Sequence, residues 1–422
     1  MPPFRDGFLR AARLVLYVLL VFTPLARGSV QDWAVTLIHI ITVAALALWG
    51  LHVIQTRRWV WIATPMDGPF ILLLALTALS AVFAVYRPDS VWTLALLLNY
   101  VAVFYLVIHT ANDRRHLMQL IHVIIGIAVF LCVFGLVKKF GVNPFPWWGY
   151  DIGHGTLAST YGNRNHFAGY LEMAIPLLTG ILIADLKPAI RSFLLYLMAL
   201  LLTTQILTLS RGGWAGTAAA LLFMAIMLMT NRYFRRKKRL AVFVGTLLFV
   251  SIVVFFNTSV VERILTLTET AQDVSMDSRV IAWRGCLNMV AQYPLLGVGP
   301  GNFSLAFTRF QPPGFNLRYD YAHNDYLQMI SEGGLFTIIF MIWIWIAVFR
   351  KGFAKLKNPS RLVRGTALGA MSGIIAITVH SFGDFNLCIP ANALLFTVLA
   401  AIVAVPISQN ERKTSHVPKY SQ

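Results

Sequence analysis

NTSVVERILTLTETAQDVSMDSRVIAWRGCLNMVAQYPLLGVGPGNFSLAFTRFQPPGFNLRYDYAH, Asn257 to His323, is the one long polar segment in a chain otherwise built of membrane-length apolar runs. It carries Arg263, Arg279, Arg284, Arg309 and Arg318, and it ends in AHNDYLQ, Ala322 to Gln328, where the next apolar run begins. Hydrophobic residues make up 58% of the 422, charged residues 12%, and mean hydropathy is +0.69. A soluble domain of this size needs about 25% charge to cover its surface, so the bilayer is the main solvent of this chain.

A spanning helix needs about 20 apolar residues. Such runs lie near 8–26, 32–54, 69–86, 91–109, 117–136, 167–185, 192–209, 213–230, 239–256, 325–349, 365–382 and 389–407. They predict an all-α polytopic integral membrane protein with about 12 transmembrane helices, folded as a single membrane domain over residues 1–422. The polar stretch then becomes a large loop, 257–323, between the ninth and tenth helices. Arg5, Arg10 and Arg13 ahead of Leu14–Leu25 resemble a signal peptide, but Arg27 interrupts any small-residue cleavage site, and an uncleaved first helix is expected.

Net charge is +18. The basic residues sit in short clusters between apolar runs, which is the pattern of cytoplasmic loops and not that of a nucleic-acid interface. With the N-terminus inside, the inside segments collect 24 of the 35 Lys and Arg, leaving 11 outside. Both termini are therefore expected in the cytoplasm, and the 257–323 loop on the opposite side. A second outside loop, 138–166, is rich in aromatics and glycine (PFPWWGYDIGHG), with Trp147 and Trp148 expected at the membrane interface.

Inside the long loop, Asp277-Ser278 reads as a cap for a helix over 279–292, with Val280, Trp283, Leu287 and Val290 as its apolar face. Pro294 and GVGPGNF (Gly297 to Phe303) end that helix. The glycines read as a tight connection: no strand precedes them, and no Lys-Ser/Thr follows as a P-loop requires. Cys132, Cys286 and Cys388 lack metal spacing; Cys286 and Cys388 leave a disulfide open beside the reading as free thiols in packed helices.

The informative residues are outside-facing charges that the positive-inside pattern does not explain. Arg211, in LSRGGWAG, lies between two apolar runs with almost no loop, where it either snorkels or binds an anion at a helix N-terminus. Asn163, Arg164, Asn165 and His166 form a polar cluster before a membrane helix that carries Glu172. Arg284 is read as facing inward and Arg279 as a rim charge. His323, followed by Asn324 and Asp325, is suited to accept a proton near neutral pH, and Glu332 is read as sharing its face. His380, Asp384 and Asn386 close the set, with Asp384 able to orient an Arg or a His. Together these describe a cationic cavity opening outward, suited to phosphate through Arg geometry. No set has metal-ligand spacing, so neither a metal nor another cofactor is implied.

NRNHFAGYLEM, SRGGWAG, SRVIAWRGCLNMV…PLLGVGPGNF and AHNDYLQMISEGG resemble, in this order and spacing, the bacterial O-antigen ligase family, which is related to the O-antigen polymerases. The resemblance runs from Tyr161 to Asn392. It implies an inner-membrane, metal-independent, inverting glycosyltransferase with a periplasmic active site. The implied donor is an undecaprenyl diphosphate-linked glycan, and the implied acceptor is lipid A-core or another glycan, within a surround of membrane lipids. It implies catalytic roles for His323, Arg284 and Arg211, and an acidic role for Asp384. Asn163, Arg164, Arg279, Asn324 and Asp384 stand as substrate-binding candidates. A repeat-unit polymerase of the same family and a protein O-glycosyltransferase are the alternatives within the class. A transporter or flippase of an anionic lipid is the alternative outside it, disfavoured because the charges gather at one face instead of the midplane.

Overall fold

The computed structural model describes residues 6–141, 157–184, 186–237, 242, 245–246, 274–312 and 318–407. Among the described residues the chain is helical and holds no strand. The helices are α1 (Gly7–Leu25), α2 (Asp32–Thr56), α3 (Asp67–Val82), α4 (Arg87–Thr110), α5 (Arg114–Lys139), α6 (Arg164–Leu182), α7 (Pro188–Leu207), α8 (Arg211–Thr230), α9 (Val274–Gln292), α10 (Phe303–Phe307), α11 (Asp325–Gly333), α12 (Phe336–Lys355), α13 (Arg361–His380) and α14 (Pro390–Ala404).

Eight of these, α1, α2, α4, α5, α7, α8, α12 and α13, are long and apolar enough to cross a membrane. Helices α3 and α14 are apolar but only 16 and 15 residues long. Helix α6 covers the expected 167–185 run, but Asn165, His166 and Glu172 dilute its apolar character. The expected span 239–256 lies outside the described residues, as do 142–156 with Trp147 and Trp148, and 257–273 with Arg263.

Two sequence expectations need correction. The 325–349 run is not one helix. It breaks at Gly334 (φ 78°), where a side chain would strike the Leu295 carbonyl, and Leu335 N–H donates to Pro294 O at 2.9 Å. A short polar helix, α11, therefore precedes the membrane helix α12. The expected start of the loop helix at Asp277-Ser278 is also too late: α9 begins at Val274. The cysteines are all free, with Cys132 and Cys286 buried.

Helices α6 and α13 form the centre of the bundle, and both are buried along nearly their whole length. They run antiparallel, so the start of α13 meets the end of α6. In lipid there is no hydrophobic drive between helices, so close packing through small residues must hold them together. Helix α13 supplies Gly365, Gly369 and Gly373, one every four residues. A Cβ on Gly369 would sit 2.6 Å from Pro176 O, and one on Gly373 would sit 2.9 Å from Met173 O. Gly365 and Gly180 meet backbone to backbone. Helix α8 packs on both through Gly213 against Ala168 and Gly216 against Ala376 and Glu172.

The far end of this bundle, where α13 begins, is basic, and part of that charge does structural work. Lys355 donates to Ile402 O (2.8 Å) and Val405 O (2.7 Å), closing the C-terminus of α14. Arg364 donates to Asn358 O at 2.6 Å. The near end of the bundle holds the residues of interest below.

Gly369→Val tests the α6–α13 approach. It should destabilise the fold by about 1–3 kcal/mol, as overpacking of a close-packed interior does. The expected readout is a lowered thermal unfolding midpoint in detergent; an unchanged midpoint would contradict the backbone contact.

Candidate active site

His323 is held in an unusual backbone conformation, with φ 51°. A non-glycine residue in the left-handed region costs about 1–3 kcal/mol and persists only where its surroundings fix it. Here both neighbours are fixed. Ala322 N–H donates to Gln328 Oε1 at 3.0 Å, and Ala322 O accepts from Trp283 Nε1 at 3.1 Å. Asn324 caps α11, its Oδ1 accepting from Leu327 N–H at 3.0 Å, while its Nδ2 donates to Phe382 O at 3.0 Å. The strained turn is thus fastened to α9 on one side and to the end of α13 on the other.

The result is a His–carboxylate pair. His323 Nδ1 faces Asp384 Oδ1 at 3.7 Å; the imidazole is 35% exposed and the carboxylate 3%. Asp384 Oδ1 also accepts from Phe385 N–H at 2.8 Å. Burial opposes the charged carboxylate. The His323 imidazole beside it, with His380 and His166 nearby, overcomes this and holds Asp384 below the usual carboxylate range.

Asp325 is the hub behind this pair. It is fully buried, and its Oδ2 accepts from Ser381 Oγ (2.7 Å) and Leu387 N–H (3.0 Å). Its backbone N–H donates to Ser381 O (3.1 Å) and Asp384 O (3.2 Å). Burial pushes its carboxyl up to about 7 against the pull of those bonds. Cys388 Sγ approaches its Oδ1 at 3.4 Å, so this thiol is spent on Asp325 and does not pair with Cys286.

Phe385 joins the remaining elements. It stacks on Tyr321 (4.3 Å between centroids, 7° interplanar) and is met edge-on by His323 and by His166, each at 4.8 Å and 75°. His166 belongs to the first turn of α6, so the Asn163–Arg164 cluster sits at the same end of the bundle. Asn163 caps α6 by accepting from Asn165 N–H at 2.8 Å, and Arg164 is half-buried.

Arg211 starts α8 and is exposed. Its turn is tightly built: Leu209 has φ 56°, Ser210 Oγ accepts from Gly213 N–H at 3.2 Å, and Gln205 Nε2 donates to Gly213 O at 3.0 Å. The next residue, Gly212, lies against the Cδ2–Nε2 edge of His380, whose Nδ1 is 3.1 Å from both oxygens of Glu172. The first turns of α6 and α8 therefore sit at the same end of the bundle as the His323–Asp384 pair. Helix N-termini with an Arg at each favour an anion there.

Arg284 lies next to Trp283, which is bonded to Ala322, so α9 is anchored beside His323. Arg284 itself is exposed, not inward-facing as the sequence suggested. The buried face of α9 is Ala282, Cys286 and Met289, with Gly285 against Phe307, while Leu287 is 57% exposed. The expected apolar face was thus right only in part: Leu287 turns outward, Val280 and Val290 are half-buried, and Trp283 packs against the same cluster as Ala282, Cys286 and Met289. Arg279, one turn earlier, is half-buried.

Glu332 does not share a face with His323. It turns away to the glycine connection, accepting from Gly301 N–H (2.9 Å) and Phe303 N–H (3.2 Å). That connection is tight, with Gly297, Gly299 and Gly301 all at positive φ. Buried Asn302 ties it to the membrane helices: Oδ1 accepts from Tyr86 N–H (2.8 Å), and Nδ2 donates to Ser90 Oγ (2.7 Å). Sequence reasoning missed Asn302 and Phe385, and it named Asp325 only as a neighbour of His323 without a role. Asp325 alone left a signal, an acid at the edge of an apolar run. Among the described residues, no group of three or more His, Cys, Asp or Glu is placed to hold a metal ion.

Residues 196–342 match the family model described as O-antigen ligase. The match spans Arg211, Arg279, Arg284 and His323, and it shows the resemblance for that part of the chain. It stops short of Arg164 and Asp384. No curated protein matches the chain.

Asn302→Ala should remove the partner of Tyr86 N–H and of the buried Ser90 hydroxyl and cost about 1–3 kcal/mol. Limited proteolysis near 295–302, with thermal unfolding in detergent, checks this; unaltered cleavage and midpoint would contradict it.

Proposed function

We propose that this chain, with its O-antigen ligase domain over residues 196–342, is a membrane glycosyltransferase. It moves a glycan from undecaprenyl diphosphate to an acceptor hydroxyl, and the acceptor is lipid A-core in lipopolysaccharide assembly. The observation that carries the reading is the half-exposed His323 against the buried Asp384 carboxylate, at the bundle end where α6 and α8 present Arg164 and Arg211.

The donor is already activated by its diphosphate, so the enzyme must hold the leaving group and remove one proton. Asp384 holds the Nδ1 side of His323, leaving Nε2 as the general base. The acceptor oxygen attacks the anomeric carbon as its proton passes to Nε2. The anomeric C–O bond to the diphosphate breaks with inversion, and the electron pair leaves on undecaprenyl diphosphate. Arg211 and Arg284 bind that diphosphate and stabilise its growing charge, with Arg164 and the first-turn N–H groups of α6 and α8 in support. Asn163 and Arg279 are assigned supporting contacts to the substrate in this reading, while Asn324, spent on Leu327 N–H and Phe382 O, shapes the turn that carries His323. No metal or other cofactor has a part in this scheme.

The positive-inside pattern supports cytoplasmic termini and a periplasmic site in the inner membrane. In this reading the described part of the 257–323 stretch lies on that same face, with α9 fastened beside His323 through Trp283 and α10 packed on α9.

His323→Ala should lower transfer in a reconstituted assay by about 10²–10⁴-fold, and Arg211→Ala by about 10²–10³-fold. Near-normal transfer by His323→Ala would remove the base assignment. The acceptor is tested by the cell-surface glycolipids of a deletion strain. Loss of long chains on the core, with accumulation of lipid-linked polymer, supports ligation. Single repeats on the core would instead make the enzyme a polymerase, and an unchanged profile would exclude both.

A further inference from the structure

We infer that Glu172 and His380 are positioning residues, a buried pair that fixes the N-terminal turn of α8, and with it Arg211, relative to His323 and Asp384. The inference rests on the reading of Arg211 as a diphosphate-binding residue.

The pair is fully enclosed: Glu172 is 0% exposed and His380 2%. Nδ1 of His380 lies 3.1 Å from each Glu172 oxygen, so one imidazole edge is committed to the carboxylate. Its other edge, Cδ2–Nε2, lies against Gly212, and the Glu172 carboxylate lies against Gly216. A side chain at either glycine would overlap the pair, so α8 is seated directly on it.

A buried pair of titratable groups is a poor device for stability alone, because well-packed apolar residues often serve equally well. What this pair supplies is fixed geometry between three helices. On the α8 side, Arg211 lies between Ser210, whose hydroxyl caps the turn, and Gly212, which rests on His380. On the α13 side, His380 O accepts from Gly383 N–H at 3.0 Å, and Ser381 binds Asp325, which in turn binds the Asp384 carbonyl. The imidazole is therefore the shared wall between the Arg211 turn and the turn that carries Asp384. Neither residue reaches the substrate in this reading, since both are enclosed.

A double-mutant cycle separates positioning from general structural damage. Transfer would be measured in detergent with undecaprenyl diphosphate-linked oligosaccharide as donor and lipid A-core as acceptor. Glu172→Gln should raise the donor KM about tenfold with a smaller change in kcat, the signature of weakened donor binding. In an Arg211→Lys background, whose guanidinium fork is already lost, the same substitution should add less than about threefold. In an Arg284→Lys background it should again cost about tenfold. Gly212→Ala keeps both side chains of the pair and displaces His380 sterically; it should follow the same pattern and serves where Glu172→Gln fails to fold. Equal losses in all backgrounds, or no loss, would overturn the positioning role. Normal transfer by Arg211→Lys and Arg211→Ala would instead overturn the Arg211 reading itself.

Discussion

The contact between Glu172 and His380 is the constraint on which the rest of the site depends. It is a polar pair at 3.1 Å inside a helix core that otherwise packs glycine on backbone. An ionisable side chain in a membrane helix is costly and needs a named partner. Here each residue is the other's partner, and both are sealed by α8. The glycines of α8 and α13 follow from this arrangement, because only a helix without side chains along that stripe can approach so closely. Three helices that could slide in lipid are thereby held in one register.

From that register the His323–Asp384 end of the bundle is built outward. The turn that follows α13 carries Asp384 beyond His380, and Asp325 bonds to the same turn. Asp325 opens α11, so His323 just before it is brought to Asp384. The strained backbone at His323 is tolerated because Trp283, Gln328 and Asn324 fasten both of its neighbours. A half-exposed imidazole backed by a buried carboxylate is suited to proton removal. Arg164 and Arg211 stand at helix starts, where an anion gains from N–H groups as well as from charge.

Much of this was legible in the sequence, for reasons that differ by residue. Apolar run length gave the membrane class and most helices, since the bilayer fixes helix length. His323, Arg211, Arg164 and Asp384 stood out because polar groups at the outer ends of apolar runs need a reason. Pairing was not legible: Glu172 and His380 are 208 residues apart, and nothing local says that they meet. The break at Gly334 was hidden within an apolar run and depends on Pro294 and Leu295 arriving from elsewhere. The most buried positions of α9 were missed because Ala282, Cys286 and Gly285 are small, and hydrophobic periodicity gives weight to Leu and Val. Small residues bury well where a bulky partner such as Phe307 fills the space.

The central claim is that a lipid diphosphate is held at the His323–Asp384 end of the bundle. An experimental structure of the protein with undecaprenyl diphosphate bound tests this most directly. The account predicts diphosphate oxygens within hydrogen-bond reach of Arg211 and the first turn of α8, with the terminal phosphate directed toward His323. A diphosphate at the opposite end, beside Arg364 and Lys355, would contradict it.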